Sequence, residues 1–479
     1  MILRRKHVQQ MSMAWMPFAD AASEGLPLRQ LLRLSLFQVS VGMATVLLLG
    51  TLNRVMIVEL GVAASVVAIM IALPVLVAPF RAILGFRSDT YRSALGWKRI
   101  PYLWFGSLWQ MGGLAIMPFA LIVLSGGQTV GPAWAGEALA ALAFLMTGLG
   151  LHMTQTAGLA LAADRATEET RPHVVAMLYV MFLLGMAISS VIVGWLLRDF
   201  APLTLVRVVQ GCAAMTLVLN LIALWKQEKV RPMTAAEIAA PRPKFRQALA
   251  DLRRVPDALR LMAVVALGAL GFNMQDVLLE PYGGEILGLS VSATTLLTGS
   301  SALGALVGFW LAARWLGRGM DPFRMAARGP LVGIAALSAV VFSAPMASPA
   351  LFYLGAVGIG LGGGLFAVAT LTAAMNLPER GLAGRGLVLG AWGAAQATAA
   401  GSAVAIGGLL RDGVGHLAMS GQLGAALHTP AAGYSFVYHT EIVLLFVTLA
   451  VLGPLVRTRI LTRQPEQGTA RIGLAEFPT

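Results

Sequence analysis

Two sets of polar residues interrupt an otherwise apolar chain at spacings that permit chemistry. In RLSLFQVSVGMATVLLLGTLNRVMIVELG, Arg33 to Gly61, no charge occurs from Leu34 to Thr51. Asn53, Arg54 and Glu59 then follow in quick succession. LMAVVALGALGFNMQDVLLEPYGG, Leu261 to Gly284, repeats the design, with Asn273, Asp276 and Glu280 at its far end. Asp276 and Glu280 are four apart and share a face of a regular helix. Two carboxylates so placed repel unless a cation joins them or one holds a proton. Arg54 is the available cation, so the six residues are expected to form a closure between the two segments. The plainer alternative is a set of separate helix-end charges in contact with water. A third group lies in GLHMTQTAGLALAAD, where His152 and Gln155 are three apart on one face, with Thr156 beside them. An imidazole inside an apolar run bonds between helices or relays protons.

The elements that carry these residues are long and apolar. A helix rises 1.5 Å per residue, so about 20 apolar residues cross a bilayer core of roughly 30 Å. Of 479 residues, 57% are hydrophobic and 12% charged, with a mean hydropathy of +0.77. That excludes a soluble globular class and predicts an all-α polytopic membrane protein. Spans are expected near 34–58, 62–84, 100–124, 136–162, 173–197, 204–225, 259–281, 292–316, 325–344, 349–376, 386–410 and 434–456. LPLRQLLRL, before the first, reads as a short interfacial helix. The single cysteine, Cys212, permits no internal disulfide. Arg4, Arg5 and Lys6 have no apolar run behind them, so no cleavable signal peptide is expected.

A formal net charge of +13 would suggest nucleic acid in a soluble chain. Here the bases fall in the N-terminus, alternate loops, the central linker and the tail. Of the Lys and Arg, only Arg54, Arg198, Arg207 and Arg411 fall on the other side. This pattern predicts cytoplasmic termini, contact with anionic lipids and no nucleic-acid partner. GWLLRDF after the fifth span matches GGLLRDG after the eleventh, which indicates two parallel six-helix repeats. The expected organisation is an N-terminal segment 1–33, a bundle 34–225, a basic linker 226–258, a bundle 259–456 and a tail 457–479. GIGLGGGLF lacks the Lys-Ser/Thr ending of a phosphate loop and suits close helix packing.

GFRSDTYRSALGWKR, between the second and third spans, resembles the signature loop of the major facilitator superfamily. Gly85 would allow a tight helix exit, Asp89 would accept hydrogen bonds or pair with a base, Gly96 supplies the second glycine, and Lys98 and Arg99 would hold the loop at the headgroups. The spacing from Asp89 to Gly96 is longer than in the usual motif. Together with LPLRQLLRLSLFQVSVGMATVLLLGTLNRVMIVELG, IPYLWFG, GLHMTQTAGLALAADRA and GFNMQDVLLEPYGG, it is similar to the bacteriochlorophyll delivery family, the PucC- and LhaA-type assembly proteins of purple-bacterial light-harvesting complexes.

The resemblance covers about Leu26 to Arg457 and implies a major-facilitator fold used in antenna assembly. It implies bacteriochlorophyll as ligand, with His152 as candidate axial donor to the pigment magnesium and Gln155 and Thr156 beside it. It further implies light-harvesting antenna polypeptides and bacteriochlorophyll synthase as partners, in the intracytoplasmic photosynthetic part of the bacterial inner membrane. Homo-oligomerisation stays open. A secondary transporter of a small solute or tetrapyrrole is the rival, and a structural spacer in antenna arrays is the third reading. A coupled carrier usually needs an acid near the midplane, whereas the acids singled out lie near span ends. No nucleophile–base arrangement suggests catalysis, so no enzyme is expected.

Overall fold

The computed structural model describes residues 26–76, 97, 99–124, 132, 134–167, 170–227, 257–316, 318–377 and 385–462. They form α1 (Leu28–Glu59), α2 (Ala64–Leu76), α3 (Ile100–Ile122), α4 (Ala135–Arg165), α5 (Arg171–Leu196) and α6 (Pro202–Leu224). The second half holds α7 (Ala258–Glu285), α8 (Val291–Leu316), α9 (Pro322–Ser343), α10 (Pro349–Met375), α11 (Arg385–Met419) and α12 (Ala431–Thr462). Eleven are long and apolar enough to cross a membrane, and α2 is described only as far as Leu76. No β-strand occurs among the described residues.

Local chemistry fixes the helix starts. Asp321 accepts from the Arg324 N–H at 3.0 Å and Ser348 from the Leu351 N–H at 3.3 Å, each just before a proline at the first helical position. The outer surface presents apolar side chains such as Phe119, Trp195 and Leu354, as lipid requires. With no hydrophobic drive between helices in lipid, close approach of small residues supplies the packing. A Cβ on Gly360 would strike the Ser301 carbonyl, so GIGLGGGLF lies flat against α8.

The face carrying the first and last described residues is called near, and the opposite one far. The halves touch toward the far face, where α2 packs on α11, α5 on α8, and α1 on α7 and α8. Neither α1 nor α7 is regular there. α1 is π-helical over Val46–Thr51 and Val55–Glu59, and α7 narrows to a 3-10 turn over Met274–Val277. Such interruptions re-aim side chains and concentrate at functional places.

Two expectations change. The predicted interfacial helix runs on through a single turn at Ser35 into the first span. Leu31 and Leu34 are buried against Leu103, Leu161 and Val174, so its leucine face meets protein instead of lipid. The eleventh helix continues to Met419, nine residues past the expected 410, because Arg411 and Asp412 find partners within the bundle.

Candidate functional site

The far-end junction is built from both halves. Asn53 Nδ2 donates to Leu49 O in its own helix and to Val277 O of α7, both at 2.8 Å. Thr51 and Thr295 share a hydroxyl hydrogen bond at 3.0 Å. Arg54 is buried, and its Nη1 contacts Glu59 Oε1 at 2.5 Å. Its Nη2 donates to the Leu289 carbonyl at 3.2 Å. The expected pairing of Arg54 with Asp276 or Glu280 is therefore replaced by one within α1. Nor do the two carboxylates act together, because the 3-10 turn at Met274–Val277 breaks the regular four-residue register. Glu280 turns to α8 and accepts from the Thr298 hydroxyl. Gly50 makes room for it, since a Cβ there would collide with the Glu280 carboxylate.

A charged cluster of the C-terminal half reaches the N-terminal half elsewhere, around Arg411. Its Nη2 reaches Glu285 Oε2 at 2.6 Å and its Nη1 reaches Asp412 Oδ1 at 2.8 Å. Tyr434 also donates to Glu285 Oε2 at 2.6 Å. Asp412 Oδ2 then accepts from the Ser65 N–H at 2.6 Å, at the N-terminal turn of α2 in the other half. A carboxylate there meets the positive end of the helix. Sequence reading saw the LLRD element as a trace of duplication and did not assign it a role.

Below the junction, on the side of the near face, is a cavity of about 290 Å³. Asn273, Asp276, Phe309, Phe366, Trp392 and Gln396 are among its walls. Asn273 thus leaves the expected inter-half network, and its Nδ2 donates to Ala269 O in its own helix. Gln275 Nε2 donates to Asp276 Oδ1 at 2.7 Å. Behind this wall Glu441 of α12 is completely buried, and its Oε1 accepts from the Gln275 main-chain N–H at 2.9 Å. Glu441 escaped the sequence reading, although one acid in the apolar run of the last span was signal enough.

On the N-terminal half, α4 and α1 bring amides together. Gln155 Nε2 donates to Gln38 Oε1 at 3.5 Å. Gln38 is completely buried, and its Nε2 has no hydrogen-bond partner in the protein. His152 is half-buried one turn away, and its carbonyl accepts from Thr156 Oγ1 at 2.8 Å.

The family described as "PUCC protein" matches residues 51–460. The chain belongs to the PucC family. A relative from Rhodobacter capsulatus, described as "Uncharacterized protein in puhA-bchM intergenic region", is 70% identical over 480 residues and covers 100% of both chains. Protein PucC of Rhodovulum sulfidophilum is 55% identical, covering 84% of this chain and 88% of its own. A more distant relative, the "Bacteriochlorophyll synthase 44.5 kDa chain" of Rhodobacter capsulatus, is 27% identical over 81% of this chain and 87% of its own. Among solved structures, a bacterial homologue of the human lysosomal transporter Spinster, inward-facing and unoccupied, superposes with a TM-score of 0.69 at 13% identity, covering 91% of this chain and 98% of that one. The POT family transporter PepTSo gives 0.63 at 12% identity, over 90% and 99%. These likenesses show the major-facilitator fold of a multi-pass membrane protein.

In this PucC-family chain most of the signature loop (Gly85, Asp89, Gly96 and Lys98) lies outside the described residues. Arg99 is described and corrects one expectation. It is buried, and its Nε donates to Asp164 Oδ2 at 3.0 Å, so it ties the start of α3 to the end of α4. The cavity, open on one side, is at the lower limit of ligand pockets, about 300–1,000 Å³. No imidazole lines it among the described residues. The residues that fit bacteriochlorophyll are instead those of the α1–α4 patch: a half-buried imidazole and, beside it, an amide donor with no partner.

Proposed function

We propose that this chain is a non-enzymatic assembly factor that binds bacteriochlorophyll and hands it to nascent antenna polypeptides. The observation that carries the reading is the match to the PucC family over 51–460, together with 55% identity to a protein named PucC. That membership supports a role connected with photosynthetic complexes. When bound, the pigment supplies a magnesium that takes one axial donor and ring carbonyls that take hydrogen bonds. His152 would offer the neutral imidazole. Gln38 Nε2 would serve a ring carbonyl, and Gln155, which bonds Gln38, would orient that amide. An apolar tail would leave the site along the lipid-facing surface. The relative named as a bacteriochlorophyll synthase chain supports a supplier in the same pigment pathway. We place the protein in the intracytoplasmic photosynthetic membrane from its family membership, and from the charge pattern we place both termini in the cytoplasm and its bases against anionic lipid.

The test is the absorption spectrum of the protein purified in mild detergent with antenna subunits removed. Bound bacteriochlorophyll is expected. A pigment-free protein that still restores antenna assembly would replace this reading with a structural spacer. The secondary-transporter reading draws on one observation, the cavity on the near side of a closed far end. Uptake of a solute by pigment-free vesicles containing the protein would favour it.

A further inference from the structure

Besides Glu280, the interior of the C-terminal half holds two carboxyl groups that the pigment reading does not use. Glu441 stands ten residues from the start of α12, about 15 Å along the helix from its far end. It is completely buried. Its Oε1 accepts from the Gln275 N–H at 2.9 Å, while its Oε2 has no hydrogen-bond partner. The Gln275 side chain links onward, donating to Phe272 O at 3.1 Å and to Asp276 Oδ1 at 2.7 Å. Asp276 lines the cavity. One buried amide residue thus joins an enclosed acid to an acid on the cavity wall.

Among the described residues no cation pairs with either acid, and Arg54 of α1 is engaged by Glu59 and the Leu289 carbonyl. Tyr438, one turn from Glu441, is completely buried with an unpartnered hydroxyl. Arg411 of α11 belongs to the far-end junction and is engaged by Glu285, Asp412 and Tyr434. Asp412 and His416, further along α11, lie still nearer the far face. On α9 the charged residues are Arg324 and Arg328, in the first two turns at the near face. On α7, Glu280 is held by Thr298, Tyr282 stacks on Tyr434 and Tyr438, and Arg260 is at the near end. His439 is exposed and bonded to the Ser435 carbonyl. Two carboxylates in such an interior cannot both be ionised, and each needs a proton, a cation or several donors. Among the described residues no three metal-ligating side chains gather. The proton is the ligand that fits.

We propose that Glu441 and Asp276, linked through Gln275, form a proton-binding site that holds one exchangeable proton and communicates with the cavity through Asp276. The unpartnered Glu441 Oε2 is the buried atom where a proton is held, and Asp276 is the carboxyl of the pair that faces the cavity. Because Gln275 belongs to the 3-10 turn of α7, occupancy of the site acts on the helix that closes against α1.

Difference infrared spectroscopy of the full-length protein in lipid vesicles, across a pH series, tests this. A protonated-carboxyl C=O band is expected at neutral pH, shifting in D2O. Glu441→Gln should remove a component of it distinct from any contributed by Glu280, and Asp276→Asn should shift that component's titration. Should Glu441→Gln fail to accumulate, Asp276→Asn, altered on the cavity wall, carries the test. The proposal is overturned if the band is unchanged in the variants that accumulate. It is also overturned if sodium at fixed pH removes the band while a rise in pH does not. The readout needs no pigment, so its failure is separate from any failure of the delivery reading.

Discussion

Arg54 Nη1 lies 2.5 Å from Glu59 Oε1, five residues further along the same helix. The cation expected from the sequence to pair with the carboxylates of α7 has its ion pair within α1, and its hydrogen bond to the C-terminal half goes to the Leu289 carbonyl. Breaking a buried pair can cost about 3–5 kcal/mol, but Glu59 is 38% exposed and solvent screens part of that. A double-mutant cycle of Arg54→Ala with Glu59→Gln should show a coupling of about 1 kcal/mol in unfolding measurements. The cycle of Arg54→Ala with Asp276→Asn should be additive within about 0.5 kcal/mol. Strong rescue by Asp276→Asn would restore the inter-half pairing.

The contact of α2 with α11 leaves no room for a side chain at Gly408, where a Cβ would meet Ala68 and, at 2.8 Å, the Ala64 carbonyl. Gly408→Val should therefore part the halves at the far face. Overpacking of this kind costs about 1–3 kcal/mol. A lower melting temperature in detergent is expected, with faster labelling of a cysteine placed at Ser65. Unchanged labelling would mean that the far face is open without the substitution.

The spans were legible because bilayer-crossing helices are written in hydropathy, and the duplication because LLRD recurs at matching places. Partner choice was not. Asp276 and Glu280 share a face only in a regular helix, and the turn of 3-10 geometry that contains Asp276 sends it to the cavity while Glu280 meets Thr298. Nothing in the spacing of Asn53, Arg54 and Glu59 announces the π-helical turns that set their directions. Arg99 looked like a headgroup contact because it adjoins Lys98 in a basic loop, yet Asp164 from α4 meets it inside. Glu441 is legible as a lone acid in an apolar span, which is a site hypothesis by default.

The charge pattern makes a topological prediction. Gln422 lies in the turn after α11 at the far face. A reporter fused there should signal the periplasm, while fusions in the 226–258 linker should signal the cytoplasm, since bases resist translocation. A cytoplasmic signal at Gln422 would reverse near and far and remove the assignment of both termini to the cytoplasm.

His152 carries the sharpest test of pigment ligation. It is half-buried in α4, one turn from Gln155, which itself reaches Gln38 of α1. A pigment with a long apolar tail can arrive from the bilayer side, so it need not pass through the small cavity of the C-terminal half. Its magnesium would need one axial donor, and a neutral imidazole is one. His152→Phe keeps the bulk and removes the donor, so bound bacteriochlorophyll and antenna yield should fall while the amount of protein in the membrane stays the same. His152→Asn should retain part of the pigment, because an amide oxygen also donates to magnesium. Gln38→Leu should shift the absorption bands with a smaller loss, since it removes a hydrogen bond to the ring and leaves the axial donor. Full pigment content in His152→Phe would move the ligand elsewhere and leave His152 a packing residue between helices.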